Sequence, residues 1–263
     1  MGTDLARTIA EAYRWQRRLG HRQIPTPYCH IVADPTHPEV WDSNHADEVT
    51  AQTDYEIDAV FAAMDEHLAH CGSRVIHTDA FTPDAFLARL ALDGFEERPV
   101  TIQMVLSGEL TDRGAPVELR PVVGDADWDA LYQLARADHI EGRRTKGIDI
   151  PPEVSAGLVA GYRSKSSHYH FHLAIVDGAA VAYGAHAAAP NGAGMIEDLF
   201  TLPSARRRGI ATAMMARFTE RLRAGGCHTV FIGALANEAP KQLYARLGFR
   251  PVTLSRAWVR AVR

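Results

Sequence analysis

The spacing of apolar residues divides the chain into short elements. "MGTDLARTIAEAYRWQRRL" (1–19) is an amphipathic helix pattern, and "DYEIDAVFAAMDEHLAHCG" (54–72) reads as a second helix. Past residue 115 the two periods alternate. "VELRPVVGDADWDALYQLARADH" (117–139) reads as a short strand, a turn with aspartate caps and a helix. "HYHFHLAIVDG" and "AAVAYGAHAAAPNG" read as a strand pair turning at Asp177-Gly178. "AGMIEDLFTLP" is a further strand closed by Pro203, and "RRGIATAMMARFTERLRAGG" a helix ended by Gly225 and Gly226. "HTVFIGAL", "NEAPKQLYARLG" and "FRPVTLSRAWVRAV" add strand, helix and strand. The order β-α-β-β-β-α-β-α-β predicts an α/β fold around a mixed central sheet flanked by helices.

The first half echoes the second. Residues 74–105 and 229–259 both run strand, loop, helix, Gly-Phe, strand, and "RPVTI" (98–102) nearly repeats as "RPVTL" (250–254). "SGELTDRGAP" (107–116) has the composition of a linker. Two domains are therefore expected, at 1–110 and 115–263.

Composition narrows the class. With 263 residues, 46% of them hydrophobic and 23% charged, the chain is an ordinary soluble protein large enough to bury a core. No apolar run approaches the roughly 20 residues of a membrane helix, so no membrane partner is expected. The amino terminus lacks an apolar signal-peptide core, and Ala6 stands where a myristoylation signal wants Ser or Thr. Cys29, Cys71 and Cys227 form no CxxC pair, which points to a reduced, cytoplasmic protein without structural zinc. Charge is uneven. Residues 1–114 carry 9 Lys/Arg against 19 Asp/Glu, a net of −10, and residues 115–263 carry 19 against 13, a net of +6. The basic half could hold a polyanionic ligand; two solvated surfaces are the plainer alternative.

"PSARRRGIATAM" (203–214) concentrates that positive charge where a strand gives way to a helix. A helix start offers unpaired N–H groups and a partial positive charge. Gly209, Ala211 and Ala213 put no large side chain there, so a pyrophosphate could approach the backbone. A solvated turn remains the other reading. A nucleic-acid surface would spread basic residues over a face with aromatics between them, and no nucleic-acid partner is expected.

Here the chain resembles a family. "LFTLPSARRRGIA" is similar to the acyl-CoA signature of the GNAT superfamily of N-acetyltransferases, Arg/Gln-x-x-Gly-x-Gly/Ala after a strand ending V-x-P. Arg206, Gly209 and Ala211 fill its defined positions. Thr201 replaces the usual Val, Arg207 a frequent Gly, and Ala211 the commoner Gly. "ALANEAPKQLYARLGF" supplies a second family element, with Asn237 seven residues before Tyr244. The resemblance covers 117–263; the first half matches in outline only.

It implies two GNAT-like domains, the first degenerate, with acetyl-CoA as acyl donor and no metal. The backbone of Leu199, Phe200 and Thr201 would pair with the pantetheine arm. The N–H groups of Arg206, Arg207, Arg208, Gly209, Ile210 and Ala211 would hold the pyrophosphate, Asn237 would contact the cofactor arm, and Tyr244 would protonate the departing thiolate. "IEDLFT" further resembles a strand of polyamine and aminoglycoside acetyltransferases, which nominates Glu197 as base; strand alternation places it on the face of Leu199 and Thr201, with Asp198 opposite.

Other groups are weaker candidates. His168, His170 and His172 share one face of a strand, a row that can bind metal but reads first as a polar strand face. Asp138, His139 and Glu141 lie in an expected polar loop, "DHIEGRRTKG", near the acceptor side. In the first half, Pro83, Phe86 and Leu90 stand where the second copy has Asn237 and Tyr244, which points to a copy without acyl-CoA. Its acidic stretch "DSNHADEVTAQTDYEID" would favour a cationic acceptor. The expectation is transfer of acetyl to a primary amine of a small molecule. A protein amine and a non-catalytic acyl-CoA-binding regulator are the alternatives, and a homodimer is left open.

Overall fold

The computed structural model describes residues 2–147 and 149–262. In chain order the elements are α1 (Gly2–Arg18), β1 (Arg22–Pro25), β2 (His30–Ala33), β3 (His45–Asp47), α2 (Asp54–His67), β4 (Ser73–Thr78), α3 (Asp84–Leu92), β5 (Glu96–Glu97) and β6 (Thr101–Leu106). They continue with β7 (Glu118–Pro121), α4 (Asp125–Lys146), α5 (Pro152–Ser164), β8 (Tyr169–Val176), β9 (Ala179–Ala188), β10 (Ala193–Thr201), α6 (Ile210–Ala224), β11 (Thr229–Leu235), α7 (Pro240–Leu247) and β12 (Phe249–Ala261). No described helix is long and apolar enough to cross a membrane.

Two compact units share these elements. One comprises Met1–Gln103, Ala234–Lys241 and Pro251–Arg263, the other Met104–Gly233 and Gln242–Arg250. The expected division at 1–110 and 115–263 follows chain order, whereas the units interleave. The reason is a pairing distant in sequence: β12 runs antiparallel to β4, from Arg256↔Thr78 to Ala261↔Ser73.

In the first unit the strand order is β1-β2-β3-β4-β12, with β5 on β12. β3 and β4 are parallel and the other pairs antiparallel. α2 starts at a capping box in which Thr53 and Glu56 satisfy each other's backbone N–H. The core gathers Ile31, Ile57, Met64, Leu68, Ile76 and Phe95 around Phe86 and Leu90. Those last two, the counterparts of the second copy's polar positions, are fully buried and apolar.

In the second unit the order is β11-β10-β9-β8-β7, parallel between β10 and β11 and antiparallel elsewhere. α6 packs on β9 and β10, and α4 packs on α5 and β9. Asp177 (φ 51°) and Gly178 (φ 78°) both take left-handed backbone, the turn that an Asp-Gly pair favours.

Two helical stretches differ from the sequence reading. The expected loop 138–147 is helical as far as Lys146: Gly142 is taken into the helix, which ends before Gly147, at φ 70°. α5 was not expected at all. Its Gly157 and Gly161 weaken the helix signal, yet both are buried, where small residues let a helix pack closely.

Candidate functional site

β10 carries the central irregularity. It pairs with β9 from Gly194↔Ala188 to Thr201↔Ala182, but between Glu197↔Ala185 and Phe200↔Tyr183 it advances three residues while β9 advances two. This is a β-bulge, and Asp198 within it has φ 54°. The extra residue breaks simple alternation, so the expected common face of Glu197, Leu199 and Thr201 does not follow from the strand period. On its other side β10 pairs with β11 only over residues 193–196, ending at Ile196↔Ile232. From 197 onward that edge is released, the requirement for an extended ligand to add as a strand.

Asp198 is anchored in this shape. Its carboxylate accepts hydrogen bonds from the Tyr162 and Tyr169 hydroxyls, both at 2.8 Å. Aspartate tolerates left-handed backbone better than most residues. Burial, then the Asp198 charge, pushes the Tyr169 hydroxyl well above its usual range, so it remains a donor. Lys165 is buried beside them, its Nζ 4.8 Å from the Tyr169 ring centre and 5.3 Å from that of Tyr162. Sequence reasoning gave Asp198 no role; the available signal was a carboxylate doublet in an otherwise apolar strand. Glu197, its neighbour, has Oε1 fully buried.

Past Thr201 the chain makes one tight turn, Pro203–Ala205, and enters α6. Arg207 (φ 62°) and Gly209 (φ 77°) are left-handed, and Gly209 caps the helix. Ala213 N–H donates to the Gly209 carbonyl at 3.0 Å. The N–H groups of Ile210, Ala211 and Thr212 therefore precede the first internal bond of the helix. Ile210 and Thr212 bury their side chains, while Arg206, Arg207 and Arg208 are exposed. A helix start so arranged fits a diphosphate. A Cβ on Gly209 would come within 2.8 Å of the Ala115 backbone N, so the linker, not the ligand side, excludes a larger residue there.

The Arg206 side chain turns back. Its Nε donates to the Thr201 carbonyl at 2.9 Å, and its two Nη atoms donate to Glu141 at 2.7 and 2.5 Å. The bonds to Glu141 raise its already high pKa. Glu141, expected at the acceptor side, thus ties α4 to the end of β10. His139 Nδ1 lies 2.7 Å from Ser155 Oγ, and burial, then the Arg136 charge, lowers its pKa. The Asp138 charge adds to the burial that raises the Tyr183 hydroxyl. Tyr244 is buried in α7, 6% exposed, its ring 6.3 Å from that of Phe249. Asn237 is exposed in the turn before α7, in a segment of the first unit, whereas Tyr244 belongs to the second.

The histidine row is rearranged. β8 begins at Tyr169, so His168 precedes the strand, and His186 of β9 joins His170 and His172 instead. Among the described residues no group of three or more His, Cys, Asp or Glu is disposed to hold a metal ion. Burial, then Arg221, pushes His172 down to about 4; burial, then the neighbouring histidines, pushes His186 down to about 3. Both are neutral in the fold at pH 7. Unfolded imidazoles protonate near 6.5, so below that pH the unfolded state binds more protons. Stability is therefore expected to fall from about pH 6.5 towards pH 4, by about 1.4 kcal/mol per pH unit for each histidine. Urea unfolding at pH 7 and pH 5 checks this, and an unchanged midpoint would refute it.

Comparison with known proteins follows the same outline. Residues 128–249 match the model of the Acetyltransferase (GNAT) family. Among solved structures, a functionally unknown conserved protein from Staphylococcus epidermidis superposes with a TM-score of 0.70 at 14% identity, over 97% of this chain and 100% of that one. A GCN5-related N-acetyltransferase from Kribbella flavida gives 0.66 at 18%, over 98% and 96%. A tandem GNAT protein from the clavulanic acid biosynthesis pathway gives 0.60 at 13%, over 89% and 78%. At these identities the likeness is one of fold, and it extends through both units. No curated protein matches the chain.

Proposed function

We propose that the chain, whose residues 128–249 match the Acetyltransferase (GNAT) family, transfers acetyl from acetyl-CoA to a primary amine of a small molecule by direct attack. One observation carries the reading: a strand released from its neighbour at Ile196 leads into a glycine-capped helix start. The main chain of Leu199, Phe200 and Thr201 pairs with the pantetheine arm, and the N–H groups of residues 206–211 hold the pyrophosphate.

The chemistry needs a neutral amine and a protonated leaving group. Glu197, with Oε1 buried at the bulge, takes the ammonium proton directly or through water. The amine nitrogen bonds to the acetyl carbon as the carbon–sulfur bond breaks, the Tyr244 hydroxyl protonates the thiolate, and the second proton shed by the nitrogen restores the tyrosine through water. The first domain, with buried apolar Phe86 and Leu90, binds no acyl-CoA. The acidic balance of residues 1–114 favours cationic acceptors.

Turnover of a panel of small amines tests the reaction class. On the best acceptor, Glu197→Gln is expected to lower kcat by about 10²-fold or more with acetyl-CoA affinity unchanged. An unaltered kcat removes Glu197 as base.

A further inference from the structure

We infer that the face of the second unit formed by His172, His186 and Arg221 is a binding site for an oxyanion, a carboxylate or a phosphate group. It is separate from the groups assigned to acetyl-CoA and does not depend on that assignment. His170 and His172 lie two apart on β8 and so share a face, and His186 stands directly opposite His170 on β9. The His186 ring centre is 5.4 Å from that of His170 and 5.3 Å from that of His172, and Phe218 of α6 backs His172 and His186 at 5.3 and 5.0 Å. Arg221, three residues along α6, brings its guanidinium to His172 Nε2. That bond makes Nε2 the acceptor and leaves His172 Nδ1 to donate to the His170 carbonyl at 3.3 Å, which fixes a neutral imidazole.

Two features mark the site. His186 is 8% exposed, and its Nε2 is wholly buried with no hydrogen-bond partner. Among the described residues no carboxylate pairs with Arg221, and the nearby Arg217 adds a like charge. Both groups line a cavity of about 420 Å³ whose apolar wall includes Trp128 and Val122. Arg221 is exposed and bonded to His172, but among the described residues no carboxylate neutralises its charge, which draws an anion towards this cavity and repels a metal ion. An anion there accepts from Arg221, with the buried His186 side chain lining the same cavity.

The test is a titration of the full chain at pH 7 with inorganic phosphate and, separately, with benzoate, followed by imidazole NMR signals. Wild type, Arg221→Gln and Arg221→Lys are compared, with thermal melting to check that each is folded. The inference predicts saturable shifts of the His172 and His186 signals with at least one probe. Arg221→Gln should weaken binding by about tenfold or more, and Arg221→Lys by less. Phosphate alone indicates a phosphate ester, benzoate alone a carboxylate, and both support the site. No saturable shift with either probe, or equal affinity in folded Arg221→Gln, overturns it; the latter would place the anion elsewhere, such as the start of α6.

Discussion

Replacing Tyr244 by Phe is expected to lower kcat by about 10²–10³-fold at neutral pH, with acetyl-CoA affinity changed by no more than about a factor of two. The substitution removes one oxygen from a ring that is 6% exposed and packed beside Phe249. Shape and apolar contact are kept, so a lost rate would not be a folding defect. As the proposed acid, the hydroxyl would act only when the carbon–sulfur bond breaks, so its loss should appear in kcat and not in binding. Steady-state kinetics with calorimetry on the same preparation separates the two. Unchanged kcat would dismiss Tyr244 as the acid, and a protein that binds acetyl-CoA without turnover would be a sensor instead.

The second large effect is structural. Gly114→Ala is expected to destabilise the fold by more than about 3 kcal/mol. Gly114 has φ +71°, and a Cβ there would lie 2.4 Å from the Ala213 backbone N and 2.5 Å from the Gly209 carbonyl oxygen. Both atoms belong to the first internal bond of α6. Neither can yield without opening the helix start proposed to cradle the diphosphate, so any folded variant should also bind acetyl-CoA more weakly. Gly108 supplies the control. It has φ +78° but nothing within 4 Å of an added Cβ, so Gly108→Ala should cost only backbone strain, about 1–2 kcal/mol. Urea unfolding of both variants decides the matter. Equal losses would mean that the linker is not docked on α6.

Why the sequence showed some of this and hid the rest follows from range. Local signals worked: Asp177-Gly178 selects its turn, Gly225 and Gly226 end α6, and the arginine-glycine run marks a helix start between two strong patterns. What depended on distant partners was not legible. The bulge at Asp198 exists only relative to β9, and its two tyrosine hydroxyls come from positions 29 and 36 residues away. Arg206 meets Glu141 across 65 residues. Pairing of β12 with β4 joins residues about 180 apart, so no linker composition could reveal that the C-terminal strand belongs to the first unit. α5 was hidden for a different reason: glycine reads as a breaker unless burial is known.

The most direct test of the central claim is a calorimetric titration of the purified chain with acetyl-CoA. A single site per chain is expected, with micromolar affinity, at the start of α6 and with the first domain silent. Two sites would contradict the degenerate first copy. No binding would contradict the cradle itself and reduce the three arginines to a solvated turn.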